Sequence, residues 1–133
     1  MKNGFLKVCT LSPALRVADC AYNTQETIAA MQEAAQDGAA LAVFPELGLT
    51  GYTCSDLFLQ QPLLDAAEQG LRDILRASET LELVAVVEVA VLVPIEYLEG
   101  LSCRTVLVRR DVVVRCAQAY HMDSQQYHNF SNW

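Results

Sequence analysis

The chain has 133 residues, of which 53% are hydrophobic and 19% are charged. This composition is that of one globular domain with a hydrophobic core, and it excludes a disordered chain. The net charge of −7 argues against a nucleic-acid-binding protein, which needs a basic surface, because only Arg109, Arg110 and Arg115 cluster. Such a cluster is typical of a solvated strand end.

The sequence predicts a cytoplasmic protein with no membrane contact. The stretch around Lys2 and Lys7 is too short and too polar for a signal peptide. The most apolar run, Leu83–Ile95, is shorter than a spanning helix and is interrupted by Glu88.

The cysteines and histidines predict neither a disulfide framework nor a metal site. Five cysteines is an odd number, and they are widely spaced without a CxxC pair, which favours reduced thiols. His121, Asp123 and His128 in the tail have spacings that fit no compact metal motif. The cysteines are Cys9, Cys20, Cys54, Cys103 and Cys116.

The first elements in chain order are a strand and a helix. Phe5–Thr10 reads as a strand. Asn23 is a candidate cap for the helix, with Glu26 three residues on in the arrangement of a capping box. Apolar residues then recur at helical spacing, and Gly38 ends the helix because glycine readily adopts positive φ.

A second strand and a second helix follow. Ala40–Phe44 is apolar throughout, as expected of a strand buried on both faces. Ser55 or Asp56 is a candidate cap for a short helical turn. Pro62 suits the first turn of a longer helix, predicted over Pro62–Ala77, because proline lacks the amide hydrogen that would be unpaired there.

Three strands complete the predicted order. Leu83–Val93 is rich in valine, and Cys103–Val108 pairs with Val112–Cys116 in a hairpin whose turn is Arg109-Arg110-Asp111. The order β-α-β-α-β-β-β predicts an α/β sheet covered by helices. No linker or repeat divides residues 1–133, so we expect a single domain.

Glu46 follows the second strand at once, where reactive groups of such sheets collect. Pro45 ends the strand because it lacks an amide donor, and this helps to aim the next side chain. Gly48 and Gly51 allow the following loop to turn tightly and to approach a ligand. An acid at this place is either a catalytic group or a surface turn residue.

The segment VFPELGLTGYTCSDLF resembles the first signature of the nitrilase, or carbon–nitrogen hydrolase, superfamily. Within it, the segment is most similar to the glutaminase domain of glutamine-dependent NAD synthetases. Upstream, ALRVADCAYNTQETIAAMQEAAQDGAALAVFPE fits the same branch in order and spacing. The resemblance is strong over residues 5–87 and weak after them. It implies that residues 1–133 form a partial domain, the N-terminal half of a nitrilase-type α-β-β-α sandwich.

The resemblance also implies a chemistry, in which a Glu, a Lys and a Cys cooperate to break an amide C–N bond. Glu46 matches the general base of the family. Tyr52 matches a tyrosine that helps to wall the substrate site, although an ordinary packed aromatic is the open alternative. The implied substrate is glutamine, and the ammonia released would serve to amidate nicotinic acid adenine dinucleotide.

Two catalytic positions of the family depart from the pattern. Gln118 stands where the family has its lysine, and an amide carries no charge to stabilise an oxyanion. The nucleophilic cysteine would lie beyond Trp133. Cys54 is eight residues from Glu46, but no nearby cation or helix start is evident to lower its pKa, so we interpret it as a buried or loop thiol.

These departures leave two classes of function. The chain is either the N-terminal part of a glutamine-hydrolysing NAD synthetase or a truncated, non-catalytic copy that only folds and associates. A third and weaker reading, a flavodoxin-like binding module, lacks a glycine-rich phosphate loop. For the first class we expect no cofactor in this domain and ATP in the synthetase domain. The expected partners are glutamine, the synthetase domain or a further chain, and other copies in a homo-oligomer.

Overall fold

A computed structural model describes residues 4–92, 101–109 and 112–118, with side chains through residue 89. The predicted order of elements is confirmed, with bounds that shift by a few residues. The predicted turn at Arg110 and Asp111 and the tail with His121, Asp123 and His128 lie outside the described residues. The elements are β1 (Val8–Thr10), α1 (Cys20–Gln36), β2 (Leu41–Val43), a 3₁₀ helix (Ser55–Leu59), α2 (Gln61–Ser78), β3 (Val84–Leu92), β4 (Leu101–Arg109) and β5 (Val112–Gln118).

The strands form one five-stranded sheet in the order of the sequence. β1, β2 and β3 are parallel, and Val8 is level with Leu41, which is level with Val84. β3, β4 and β5 are antiparallel neighbours. The first three strands are joined through the two helices, because parallel neighbours need a crossover connection.

Both helices cover the same face of the sheet. Met31 of α1 and Ile74 of α2 are fully buried in one cluster with Ala42 of β2 and Ala85 of β3. Strand side chains alternate between faces, so Ala85, Val87 and Val89 point to the helices. The expected burial of β2 on both faces is wrong, because its flanking Leu41 and Val43 are only partly buried.

Helix α1 begins four residues earlier than the capping-box pattern predicts. Its N-cap is Asp19, whose Oδ1 accepts a hydrogen bond from the Tyr22 amide at 3.1 Å. Asn23 lies inside the helix and is buried, because its side chain bonds the preceding segment and the loop after β2 instead of an amide of the first turn. At the other end, Gly38 has the predicted positive φ, 76°.

Helix α2 places Pro62 in its first turn, as predicted. The predicted cap of the short 3₁₀ helix is wrong: Cys54 is its N-cap, and no side chain makes a capping hydrogen bond. In the middle of α2, Gly70 packs against Thr24 of α1 so closely that a Cβ there would collide with Thr24 Oγ1. Neither described helix is long and apolar enough to cross a membrane.

Candidate functional site

The segments that follow β1 and β2 meet at the carboxyl edge of the parallel strands. A small cleft with room for about one water molecule lies between them. Its lining comes from the segment after β1, from α1 and from the end of β2 with its turn. The lining residues are Pro13, Ala14, Leu15, Asn23, Thr27, Phe44, Pro45 and Gly48.

Glu46 lies in the turn that forms one wall of this cleft. Pro45 and Gly48 line the cleft, whereas Glu46 does not and is exposed to solvent. The strand-end location predicted for it is confirmed, since β2 ends at Val43 and residues 46–50 form turns. An exposed carboxylate at this place is accessible to a ligand or to a group that lies outside the described residues.

The turn after Glu46 is held by an unexpected residue. Leu47 has φ 52°, in the left-handed region, although it carries a side chain. Its side chain is buried with Cys54, Phe58 and Leu64. The tight turn predicted around Gly48 is present, but its left-handed residue is the neighbouring Leu47, since Gly48 does not have a positive φ.

Gly51 has the turn conformation predicted for it, and its approach to a ligand stays a prediction. Its φ is 86°, and a Cβ there would lie 3.3 Å from Leu15 Cδ1 and 3.3 Å from Val17 Cα. Only a glycine therefore allows the loop after β2 to approach the segment after β1 this closely. The amide of Ala18 reinforces this contact by donating to the Thr50 carbonyl at 2.7 Å.

Asn23 also joins the segment after β1 to the loop after β2. Its Oδ1 accepts from the Arg16 amide at 2.7 Å, and its Nδ2 donates to the carbonyls of Arg16 at 2.8 Å and Leu49 at 3.0 Å. A side-chain amide suits this place because it both donates and accepts. The sequence reading missed this role, since nothing local distinguishes a bridging asparagine from a capping one.

The thiols near the loop are buried, as expected for Cys54. Cys54 Sγ donates to the Thr50 carbonyl at 3.0 Å, and Cys54 is 2% exposed. Burial, followed by the nearby Cys54 thiol and Asp19, raises the pKa of Cys20 from its usual 9.0 to about 11. A thiol with so high a pKa is protonated at neutral pH, so Cys20 is a poor nucleophile there.

The other two predicted positions lie apart from the cleft. Tyr52 is 71% exposed and does not line the cleft, so the alternative of a packed aromatic is wrong, and its role in walling a site stays a prediction. Gln118 is the last residue of β5, opposite Cys103 of β4.

Gln118 and Glu46 nevertheless lie toward the same edge of the sheet. β5 runs in the direction of β2, because two antiparallel steps separate it from β3. Three strand spacings lie between β2 and β5, or about 14 Å. No group of three or more metal-ligating side chains occurs among the described residues.

The fold and this edge correspond to a known family. The family model described as carbon–nitrogen hydrolase matches residues 7–107. The chain belongs to this family. A match that begins just before β1 and ends within β4 includes Glu46 and the whole loop after it, and it removes the reading as a flavodoxin-like module.

The curated relatives place the chain near one branch of the family. A glutamine-dependent NAD(+) synthetase of Mycobacterium tuberculosis (strain H37Rv) is 41% identical over 86 residues, which are 65% of this chain and 13% of that protein. One from Mycobacterium leprae (strain TN) is 33% identical over 114 residues, which are 86% of this chain and 16% of that protein. The chain therefore spans about one seventh of the length of these relatives.

Solved structures share the fold. A glutamine-dependent NAD(+) synthetase from Cytophaga hutchinsonii has a TM-score of 0.75 at 18% identity, over 89% of this chain and 20% of that one. An amidase from Nesterenkonia sp. has a TM-score of 0.67 at 20% identity, over 95% of this chain and 51% of that one. In that amidase, this fold accounts for about half of the chain.

Proposed function

We propose that the chain is the N-terminal part of the amidase domain of a glutamine-hydrolysing NAD synthetase, with Glu46 as its general base. The observation that carries the proposal is the family match over residues 7–107 together with an exposed carboxylate at the carboxyl edge of the parallel strands. The 41% identity to a glutamine-dependent NAD(+) synthetase favours this branch over other amidases.

The proposed chemistry is hydrolysis of the glutamine side-chain amide. A cysteine thiol from outside this chain gives its proton to Glu46 and attacks the amide carbonyl, forming a C–S bond. Glu46 returns that proton to the departing nitrogen as the C–N bond breaks, and ammonia leaves. Glu46 then takes a proton from water as the water oxygen attacks the thioester, and it gives this proton to the sulfur as the C–S bond breaks, which releases glutamate and the free thiol.

The remaining groups must come from a longer product of the same gene or from a second chain. No lysine follows Lys7 in these 133 residues, and Gln118 stands at the family's lysine position. A fixed cation would have to stabilise the oxyanion that forms during attack. Tyr52, exposed beside the loop, is proposed to wall the site once the rest of the domain is in place. ATP would bind only to the separate synthetase domain.

A chimaera tests the proposal. The 86-residue segment matched in the Mycobacterium tuberculosis synthetase is replaced by that of this chain, so that the relative supplies the rest of the protein. We expect the chimaera to release ammonia from glutamine, and Glu46→Gln to lower the rate about 10²- to 10⁴-fold, the usual contribution of a general base. Formation of NAD from added ammonium shows whether the part supplied by the relative is still intact in each chimaera.

The matched control is Glu33→Gln, which makes the same change at an exposed glutamate of α1. Glutamine-dependent activity should be unaffected there. Full activity of the Glu46→Gln chimaera would contradict the role of Glu46. Ammonia release at the chimaera's rate by the 133-residue chain alone would contradict the need for groups from outside it.

The open face of the sheet favours a second candidate, a non-catalytic fragment that associates with other copies of itself. Val8, Leu41 and Val84 form one apolar row across three strands, and Val43 and Val86 extend the next. The helices cover only the opposite face, and Val8 is 51% exposed. Contiguous apolar surface of this kind marks association sites.

Sedimentation equilibrium of the full chain tests this candidate. Self-association through the open face predicts a dimer or larger species that Val43→Lys dissociates, since lysine would be buried without a partner. Gln32→Lys, which adds the same charge on the exposed side of α1, should leave the mass unchanged. A monomer at all concentrations would contradict self-association.

A further inference from the structure

We propose that Leu47 is a positioning residue, which fixes the backbone of Glu46 and so sets the point on the loop from which its carboxylate acts. This inference rests on the proposed function of Glu46, although its test does not require activity. Neighbouring residues of this turn differ sharply in solvent exposure: Pro45 and Glu46 are exposed, whereas Leu47 is only 5% exposed.

Leu47 adopts a conformation that its residue type disfavours. Its φ of 52° places Cβ close to the following carbonyl, a clash that glycine would avoid. Such a conformation persists only where the surroundings determine it, and it occurs often at functional sites. The residue after the proposed base is therefore held in place at an energetic cost.

Hydrogen bonds hold the main chain of Leu47. Its carbonyl accepts from the Gly51 amide at 2.8 Å, from the Thr50 amide at 3.2 Å and from Thr50 Oγ1 at 3.4 Å. The two amide donors fix the peptide plane that follows Leu47, while the single hydroxyl hydrogen of Thr50 can go either to this carbonyl or to that of Gly51, which is 3.3 Å away. The loop after Glu46 therefore closes back on the residue next to it.

The side chain of Leu47 supplies the second constraint. It packs in a cluster with Cys54, Phe58 and Leu64, which join the loop, the 3₁₀ helix and α2. Rotation of the Glu46–Leu47 backbone would pull this side chain out of the cluster. Burial of the leucine thus compensates for its unfavourable φ.

The residues before Glu46 are fixed as well. Phe44 is buried, and its amide donates to the Val86 carbonyl at 3.0 Å. Pro45 has a φ fixed by its ring. Glu46 therefore lies between two buried residues, Phe44 and Leu47, which fix the orientation of its backbone while its side chain stays exposed.

Backbone NMR relaxation of the full 133-residue chain tests the inference. In the unmodified chain, we expect the Glu46 amide to have an order parameter near 0.85, typical of rigid backbone. Leu47→Ala should lower it below about 0.6, typical of a flexible segment. Leu64→Ala is the matched control, because Leu64 is also 5% exposed and belongs to the same cluster.

A merely structural role predicts the same effect of both alanine variants at Glu46, and that result would overturn the inference. Leu47→Ile and Leu64→Ile keep the volume and serve if the alanine variants unfold. A β-branched side chain strongly disfavours positive φ, so only Leu47→Ile should shift the Glu46 amide resonance and lower its order parameter. Leu47→Met, which is not β-branched, should leave the Glu46 amide resonance and its order parameter as they are in the unmodified chain.

The chimaera separates this inference from the proposed function. There, Leu47→Ala should lower kcat for glutamine hydrolysis about 10²-fold with KM unchanged, as expected for a misplaced catalytic group. Loss of Glu46 order without loss of activity would contradict the positioning role of Leu47, whereas the role of Glu46 itself is tested separately by Glu46→Gln. Retained order together with lost activity would contradict the anchoring.

Discussion

The two faces of the sheet carry similar residues and have different surroundings. Val87 points to the helices and is 1% exposed, whereas its neighbour Val86 points to the opposite face and is only partly buried. Both are valines on the same strand, so residue type does not explain the difference. The helices decide it, because α1 and α2 lie on one side only.

The difference teaches that this sequence encodes more apolar surface than the described residues cover. A sheet with one solvated face normally alternates apolar and polar residues. Here Leu41, Val43, Val84 and Val86 keep the middle of the second face apolar, with Thr10 and Glu88 at its end. Such a pattern is expected of a sheet with a second layer over it, whether from the rest of a longer chain or from another copy.

The largest effect is expected where the helix layer itself is packed. Gly70→Ala would push a methyl group into Thr24 Oγ1, and we expect a loss of about 3 kcal/mol in the free energy of unfolding, in the range of overpacked cores. Urea denaturation measures it. Because α1 and α2 form the covering layer, this variant should loosen the covered face.

Thr24→Ala provides the rescue. Thr24 Oγ1 is buried and has no hydrogen-bond partner among the described residues, so Thr24→Ala loses no hydrogen bond and should cost only about 1 kcal/mol for the buried methyl group removed with it. The double variant should then recover most of the loss caused by Gly70→Ala. Equal losses in the single Gly70→Ala and the double variant would contradict the close approach of the helices.

A smaller effect on the free energy of unfolding distinguishes the two faces of the sheet directly. Val87→Thr places a hydroxyl among apolar side chains and should cost about 2 kcal/mol, whereas Val86→Thr should cost less than about 1 kcal/mol in the monomer. Thermal denaturation of both variants gives the ratio. Equal costs would indicate that the second face is already covered in solution.

The smallest effect comes from the buried thiol on the covered side. Because the pKa of Cys20 is raised to about 11, the folded state keeps its proton where the unfolded state loses it. Stability is therefore complete below pH 9 and falls as the pH rises toward 11. At pH 10 the loss should be about 1.4 kcal/mol, one pKa unit of free energy.

Cys20→Ala isolates this contribution. It lowers stability at every pH because it removes a buried side chain, but its free energy of unfolding should fall less steeply between pH 9 and 11. Parallel pH profiles for the two proteins would contradict the raised pKa of the thiol.

The order of elements was predictable because it depends on hydrophobic periodicity and on turn residues. Apolar runs marked the strands, and Gly38 and Pro62 marked helix ends by their own backbone chemistry. The start of α1 was mispredicted because an asparagine at the position of Asn23 is equally compatible with a helix cap and with a buried side chain that joins two loops. The buried bond of Asn23 to Leu49 depends on a loop 26 residues away.

The candidate site was predictable in location and not in its support. Glu46 was expected at the end of β2 from the strand and the proline, and it lies there. The left-handed Leu47 was missed because residue propensities assign positive φ to glycine, and Gly48 stood next to it. The packing of the leucine outweighed local preference, and such tertiary effects have no local signal.

The short first strand has a consequence for how this chain meets others. Among the described strands, β1 pairs with β2 alone, so it forms an outer edge of the sheet, and it is three residues long. Lys7 stands just before it. An edge strand this short, flanked by a charged residue, offers an incoming strand few main-chain groups for hydrogen bonding. It therefore disfavours edge-to-edge aggregation along this side of the sheet.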